Sequence, residues 1–178
     1  MPVKVGTIRP QLDAVAKQIT ERTKQALAGA SDKLRDNVLE KGRADMAGAG
    51  NFSSARWQQG FTGEVSGSGD SRTITFKHSV PYWTVFQYGA TIHGKPLLWI
   101  PLNASEKGIS ARDFGGQLFR VDRKGGGAPL LMSATDKQVK YTGHEQVTIP
   151  KKFHLVEIIQ SEAKTLGALY RVEMGSGG

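Results

Sequence analysis

Cysteine is missing from all 178 residues. Its absence excludes disulfides and thiolate metal sites, and it leaves no sign of an oxidising compartment. No apolar run approaches the roughly 20 residues that a membrane span needs, so no membrane partner is expected. The opening MPVKVGTIRPQL has no apolar signal-peptide core, which makes synthesis in the cytoplasm the expectation. Apolar residues are slightly few at 38%, and no repeat recurs at a solenoid period. What the chain does have is glycine, 22 of them, which tilts it toward turns and loops. The length suits one domain with a genuine core over residues 1–174. The closing GSGG, residues 175–178, reads as a disordered tail.

The net charge of +8 is spread unevenly. Residues 120–154 carry seven bases against three acids, around VDRKGGG and IPKKF, whereas the last 24 residues carry two against three. Such a balance permits contact with nucleic acid or an acidic protein. No zinc-finger spacing and no RNA-binding aromatic signature accompanies it.

From Pro10 to about Lys41, apolar residues at Leu12, Val15, Ala16, Ile19, Leu27, Ala30, Leu34 and Val38 recur at steps of three and four. That spacing predicts a long amphipathic helix, with Gly42 suited to its end and the stripe covering a sheet. FTGEVSG and RTITFKHS alternate at period two around the turn-forming GSGDS and predict a hairpin. PYWTVFQYG reads as a short helix between Pro81 and Gly89. LLWIPL, QLFRVD and APLLMS read as strands, and DKQVKYTGHEQVTI supplies one or two more. Phe153, Val156, Ile159, Ala163, Leu166 and Tyr170 share one face of a C-terminal helix. The order predicts an α+β domain, an antiparallel β-sheet packed by a long N-terminal helix and a C-terminal helix.

GATIHGK, residues 89–95, matches the glycine–lysine spacing of a phosphate-binding loop. Pro96, however, stands where the Mg²⁺-binding hydroxyl belongs, and a strand-like LLWIPL follows in place of a helix. No nucleotide or other cofactor is expected. His78, His93, His144 and His154 lack the spacing that presents two ligands to a metal, so no metal site is expected either. His78 shares a strand face with Ile74 and Phe76 and reads as a partly buried histidine. No GxSxG elbow is present, and no catalytic residue is assigned. The aromatics remain. Tyr82 and Phe86 fall on one side of the short helix, Trp83 and Gln87 on another, so one side can plug the core while the other serves as a protein–protein anchor. Trp99, between Leu98 and Ile100, is expected in the core.

The order of these features resembles the tail-completion, or neck, proteins of tailed double-stranded-DNA bacteriophages and the minor tail proteins related to them. The resemblance covers roughly residues 10–172. It rests on Pro81, Tyr82 and Gly89 ahead of the later strands, and on Pro150, Lys151, Lys152 and Phe153 opening the last helix. It implies a structural virion protein, not an enzyme, that joins head to tail. Such a subunit forms a homo-oligomeric ring, commonly a hexamer, contacts other neck and tail proteins, and lets DNA pass without reading bases. On that reading Trp83, Phe86, Tyr88, Lys151, Lys152 and Phe153 are expected at a subunit interface, and Arg123 and Lys124 of the RKGGG hairpin tip face DNA. Two alternatives are a sequence-independent basic DNA-binding protein and a phage hydrolase using His93 or His144.

Overall fold

The structure, a computed structural model, describes residues 9–50 and 52–175. Of the closing GSGG, Gly175 ends the last helix, and residues 176–178 lie outside the described residues. The class is α+β: a long N-terminal helix, antiparallel sheets and C-terminal helices. Two compact units form along the chain. One comprises the chain up to Gln87 together with the segment from Lys152 onward, and the other comprises Tyr88–Lys151.

In the first unit, α1 runs from Arg9 to Gly48, 40 residues. It passes straight through Gly42, where the sequence predicted an end. The reason is contact: a Cβ at Gly42 would lie 2.5 Å from the Phe61 ring and 3.1 Å from a Leu155 methyl. Glycine inside a helix costs about 0.5–1 kcal/mol relative to alanine, and here the close approach of β1 and α4 requires it. A short helix α2 (Ala55–Gly60) follows, its first turn closed by Trp57 and Gln58 N–H groups donating to the Ser54 carbonyl. The hairpin forms as predicted, β1 (Phe61–Ser66) against β2 (Thr73–His78), with Phe61 opposite His78 and Val65 opposite Ile74. Gly63 faces Phe76 and leaves the space that ring fills. The chain then enters α3 (Trp83–Tyr88).

Where one C-terminal helix was predicted there are two, α4 (Leu155–Ala163) and α5 (Leu166–Gly175). The break falls at Lys164–Thr165, where the Thr165 hydroxyl and N–H both donate to the Glu162 carbonyl. Leu155 and Leu169 pack inward, whereas Ala163, expected on the apolar face, is exposed. Leu34, Val38, Met46, Phe61, Phe153 and Leu155 form the buried core of this unit.

The second unit is a four-stranded antiparallel sheet in the order β3–β6–β5–β4: β3 (Ala90–Pro101), β4 (Leu118–Val121), β5 (Leu130–Ser133) and β6 (Val139–Ile149). The strands thus divide between two sheets, where the sequence suggested one. GATIHGK falls mainly on β3. Its pairing with β6 is interrupted between His93 and Leu98, where a Cβ on Gly94 would collide with the backbone of Leu97 and Leu98. Tyr141 is the buried centre of this unit, its hydroxyl donating to the Ile109 carbonyl at 3.2 Å. Trp99 is half-buried rather than core. Its ring lies over Gly143, which has no side chain to displace it.

Candidate interaction surfaces

In the first unit, the two motifs behind the family resemblance meet. The Phe86 carbonyl accepts from the Lys152 N–H at 2.7 Å and the Phe153 N–H at 3.1 Å. Gln87, fully buried, caps α4 from a distance. Its Oε1 accepts from Leu155 N–H at 2.8 Å and Val156 N–H at 3.4 Å, while its Nε2 donates to Glu157 at 2.8 Å. These are the N–H groups a helix start leaves without intrahelical partners. The Asp45 carboxylate completes the start of α4, accepting from the His154 N–H at 2.7 Å.

That joint redraws the expected interface. Phe153 has no exposed surface and packs against Phe52, Trp57 and Phe86 with ring centroids 4.7–5.8 Å apart. Phe86 is partly buried in the same cluster, and Trp83 is stacked on His78 at 6.1 Å. Phe153 therefore serves the core, drawn inward onto α3 by the start of α4, while Phe86 and Trp83 pack against the core with part of their surface exposed. Lys152 is exposed. His78 is partly buried among aromatic rings, and burial pushes its pKa below the ordinary histidine range, with the Trp57 backbone opposing.

A different surface emerges on α1. Residues 11–21 are all exposed, including Leu12 at 60%, Val15 at 51% and Ile19 at 57%. They continue the stripe that is buried from Ala26 onward. The cover simply stops. α5 ends where Arg22 holds the Met174 carbonyl at 2.6 Å, leaving the preceding three turns of the stripe bare. Periodicity revealed the stripe, but no periodicity tells where its cover ends.

In the second unit Tyr88 is 66% exposed, and Lys151 is exposed at the other end of the segment. Gly89, with φ +74°, packs against the Ile149 carbonyl and the Lys151 nitrogen, which leaves no room for a side chain. Arg123 and Lys124 stand exposed at the β4–β5 turn. Gly125, Gly126 and Gly127 follow with φ of 94°, 88° and 112°, conformations that only glycine adopts readily. The residues of this unit carry nine bases and five acids. A cleft of about 590 Å³ is lined by Lys95, Trp99, Arg112, Leu118 and Leu131 among others. Lys95 therefore lies on a strand rim, without the strand–loop–helix geometry of a phosphate-binding loop.

His93 is exposed on β3 and His144 is half-buried on β6, in register with Gln146 and Leu98 respectively. Among the described residues no group of three or more His, Asp or Glu side chains is placed to hold a metal ion. None of their helices is long and apolar enough to cross a membrane. The tight ionic cluster of this unit is structural. Lys140 bridges Asp136 at 2.8 Å and Glu106 at 3.5 Å, fastening the Ala104–Glu106 turn to β6. The hydrogen bond from Lys140 holds Asp136 down to about 2.

Comparison with protein-family models, curated proteins and solved structures finds no match to this chain.

Proposed function

We propose that the protein is a structural virion subunit that forms a ring at the neck or tail end of a tailed bacteriophage, joining head to tail around the passing DNA. The observation that supports this reading is the joint between its two short motifs. Phe86 and Gln87, within Pro81–Gly89, bind the backbone of Lys152, Phe153, Leu155 and Val156, so the paired motifs of the resemblance have one structural purpose. The bare apolar turns of α1 add a surface that a neighbouring subunit would cover. The test is the mass of the purified protein, alone and within particles, with complementation of a phage lacking it. Rings and restored joined particles are expected. A strictly monomeric chain inside virions removes the reading.

The basic hairpin tip favours a second reading, a sequence-independent DNA-binding protein. Arg123, Lys124 and the backbone N–H groups of three glycines can meet phosphates without reading bases. An electrophoretic shift lost at moderate salt, from a protein that never forms rings, would favour it over the first.

A further inference from the structure

A histidine pins the turn that joins β2 to α3. The Val80 N–H donates to His78 Nδ1 at 3.1 Å, the same i, i+2 bond that an asparagine makes in an Asx-turn. Nδ1 is therefore the bare nitrogen of the neutral ring, and the proton sits on Nε2. Nε2 is enclosed, without a hydrogen-bond partner among the described residues. The Trp57 backbone favours a charge on the ring but does not reach hydrogen-bond geometry. The imidazole stacks on the rings of Phe61 and Trp83, with centroids 6.4 and 6.1 Å away. Among the described residues no acid faces it. α2 and α3 contain none, and Tyr82 meets Trp57 instead. Glu64 and Lys77 lie on the opposite face of the hairpin and pair with each other at 3.3 Å. On α1, Asp45 is taken by His154, and Arg43 donates to the Gln58 and Phe61 carbonyls at 3.2 and 3.3 Å, which brings a cation to this side.

We propose that this hydrogen bond is an acid-sensitive latch: a proton on His78 Nδ1 frees the β2–α3 turn and, through it, the joint between α3 and α4. The protonated nitrogen is a donor facing a donor, so Val80, 1% exposed, loses the acceptor for its N–H. The Val80 carbonyl accepts from the Trp83 N–H and so sets the first turn of α3. That helix in turn supplies the Phe86 carbonyl and the Gln87 amide that hold Lys152, Phe153, Leu155 and Val156. The chain leaves the first unit after Gln87 and re-enters it at Lys152, so both crossings begin on the segment that the latch holds. Stacked rings attract a cation, but they replace neither water nor the lost hydrogen bond. Burial outweighs them and lowers the pKa of His78, which keeps the latch closed at neutral pH and opens it in acid. The device needs no second copy and stands apart from the ring reading.

The test is NMR of the isotopically labelled full chain, from about pH 7.5 down to the onset of acid unfolding. Imidazole nitrogen shifts should show His78 as the Nε2–H tautomer at the upper end. Amide exchange, corrected for its intrinsic pH dependence, should lose about tenfold in protection at Val80, Trp83, Lys152 and Phe153, with the midpoint of the His78 titration. Protection in the middle of α1 should hold. His78→Asn keeps an acceptor for the Val80 N–H and does not titrate, so its protection should stay flat over the same range. His78→Phe removes the acceptor and should be poorly protected at every pH. His154 remains in both variants, and its protonation strengthens the bond to Asp45, an effect of the opposite sign. Circular dichroism checks that each variant is folded; should His78→Asn fail to fold, the tautomer and exchange of the wild type decide alone. A proton on Nδ1 at neutral pH, or a ring that stays neutral until the chain unfolds, overturns the latch. So does acid loss that persists in a folded His78→Asn, or that spreads to α1 at the same midpoint.

Discussion

Removing the Gln87 amide would strip two backbone N–H groups at the start of α4 of their acceptor, the one on Leu155 fully buried, and Glu157 of a donor. An orphaned buried donor costs about 1–3 kcal/mol, so Gln87→Ala should lower unfolding stability by that amount in a denaturant titration. A loss under about 0.5 kcal/mol would show that water or a shift of α4 replaces the cap. Asp136, Glu106 and His78 all have lowered pKa values and so bear on the response to acid. Asp136 is held at about 2, against an ordinary 3.8, chiefly by the hydrogen bond from Lys140. A depressed carboxylate contributes stability that is present above its ordinary value and is lost as pH falls through the folded one. The second unit should therefore weaken between about pH 4 and pH 2, and Asp136→Asn should flatten that part of the melting-temperature profile. An unchanged profile would mean the Lys140 cluster contributes nothing. His78 acts higher on the scale. Its folded pKa lies below the ordinary 6.5, so its contribution is complete above that pH and declines as acid forces a charge into the aromatic cluster.

At the level of elements, what was legible followed from period and punctuation. Alternation at Phe61 and Val65 and at Ile74 and Phe76 located the hairpin to within a residue at each end, and Gly89 marked the end of α3. Features set by distant contact were not legible. Gly42 resembles a helix terminator in sequence, yet it is a contact point for Phe61 and Leu155, residues 19 and 113 positions away. Phe153 reads equally as a core ring or an interface ring, and its complete burial among Phe52, Trp57 and Phe86, with the hydrogen bonds from its own and the preceding N–H to Phe86, decides for the core. Gln87 carries no signal at all, since a polar residue on a short helix is ordinarily at the surface. Two expectations follow for elements. Gly42→Ala, normally a stabilising change inside a helix, should here destabilise, because Phe61 and Leu155 must move to admit the methyl. A rise in melting temperature would show that α1 and β1 are less closely packed than the distances state. Ile19→Ser, on the bare turns of α1, should leave the stability of the monomer within about 0.5 kcal/mol, the usual range for surface substitutions.

At the scale of the whole molecule, charge is the property that composition announces and only the structure distributes. A helix of 40 residues is about 60 Å long, and its lysines and arginines are mostly tied down: Lys24 to Glu21, Lys33 to Glu173, Arg35 to Asp32 and Asp36, Lys41 to Glu162. In the second unit Arg120 and Lys140 are likewise paired, with Asp122 and with Glu106 and Asp136. Arg123 and Lys124 differ. They stand exposed on a turn whose next three residues are glycines at positive φ, a backbone that exposes N–H groups and lets the tip conform to a phosphate chain. If this tip meets DNA, each phosphate it neutralises releases counterions and contributes about 0.9 to the slope of log affinity against log salt. Arg123→Glu with Lys124→Glu should then reduce that slope by about 2 for duplex fragments of any sequence. Folding should be unaffected, because both side chains are exposed at the turn. Fluorescence anisotropy of one labelled duplex across a salt series, repeated with a duplex of scrambled sequence, reads both quantities. A slope equal to that of the wild type would remove the tip from the DNA path. A change confined to one of the two sequences would mean that the protein reads bases, which neither a ring lining nor a sequence-independent binder does.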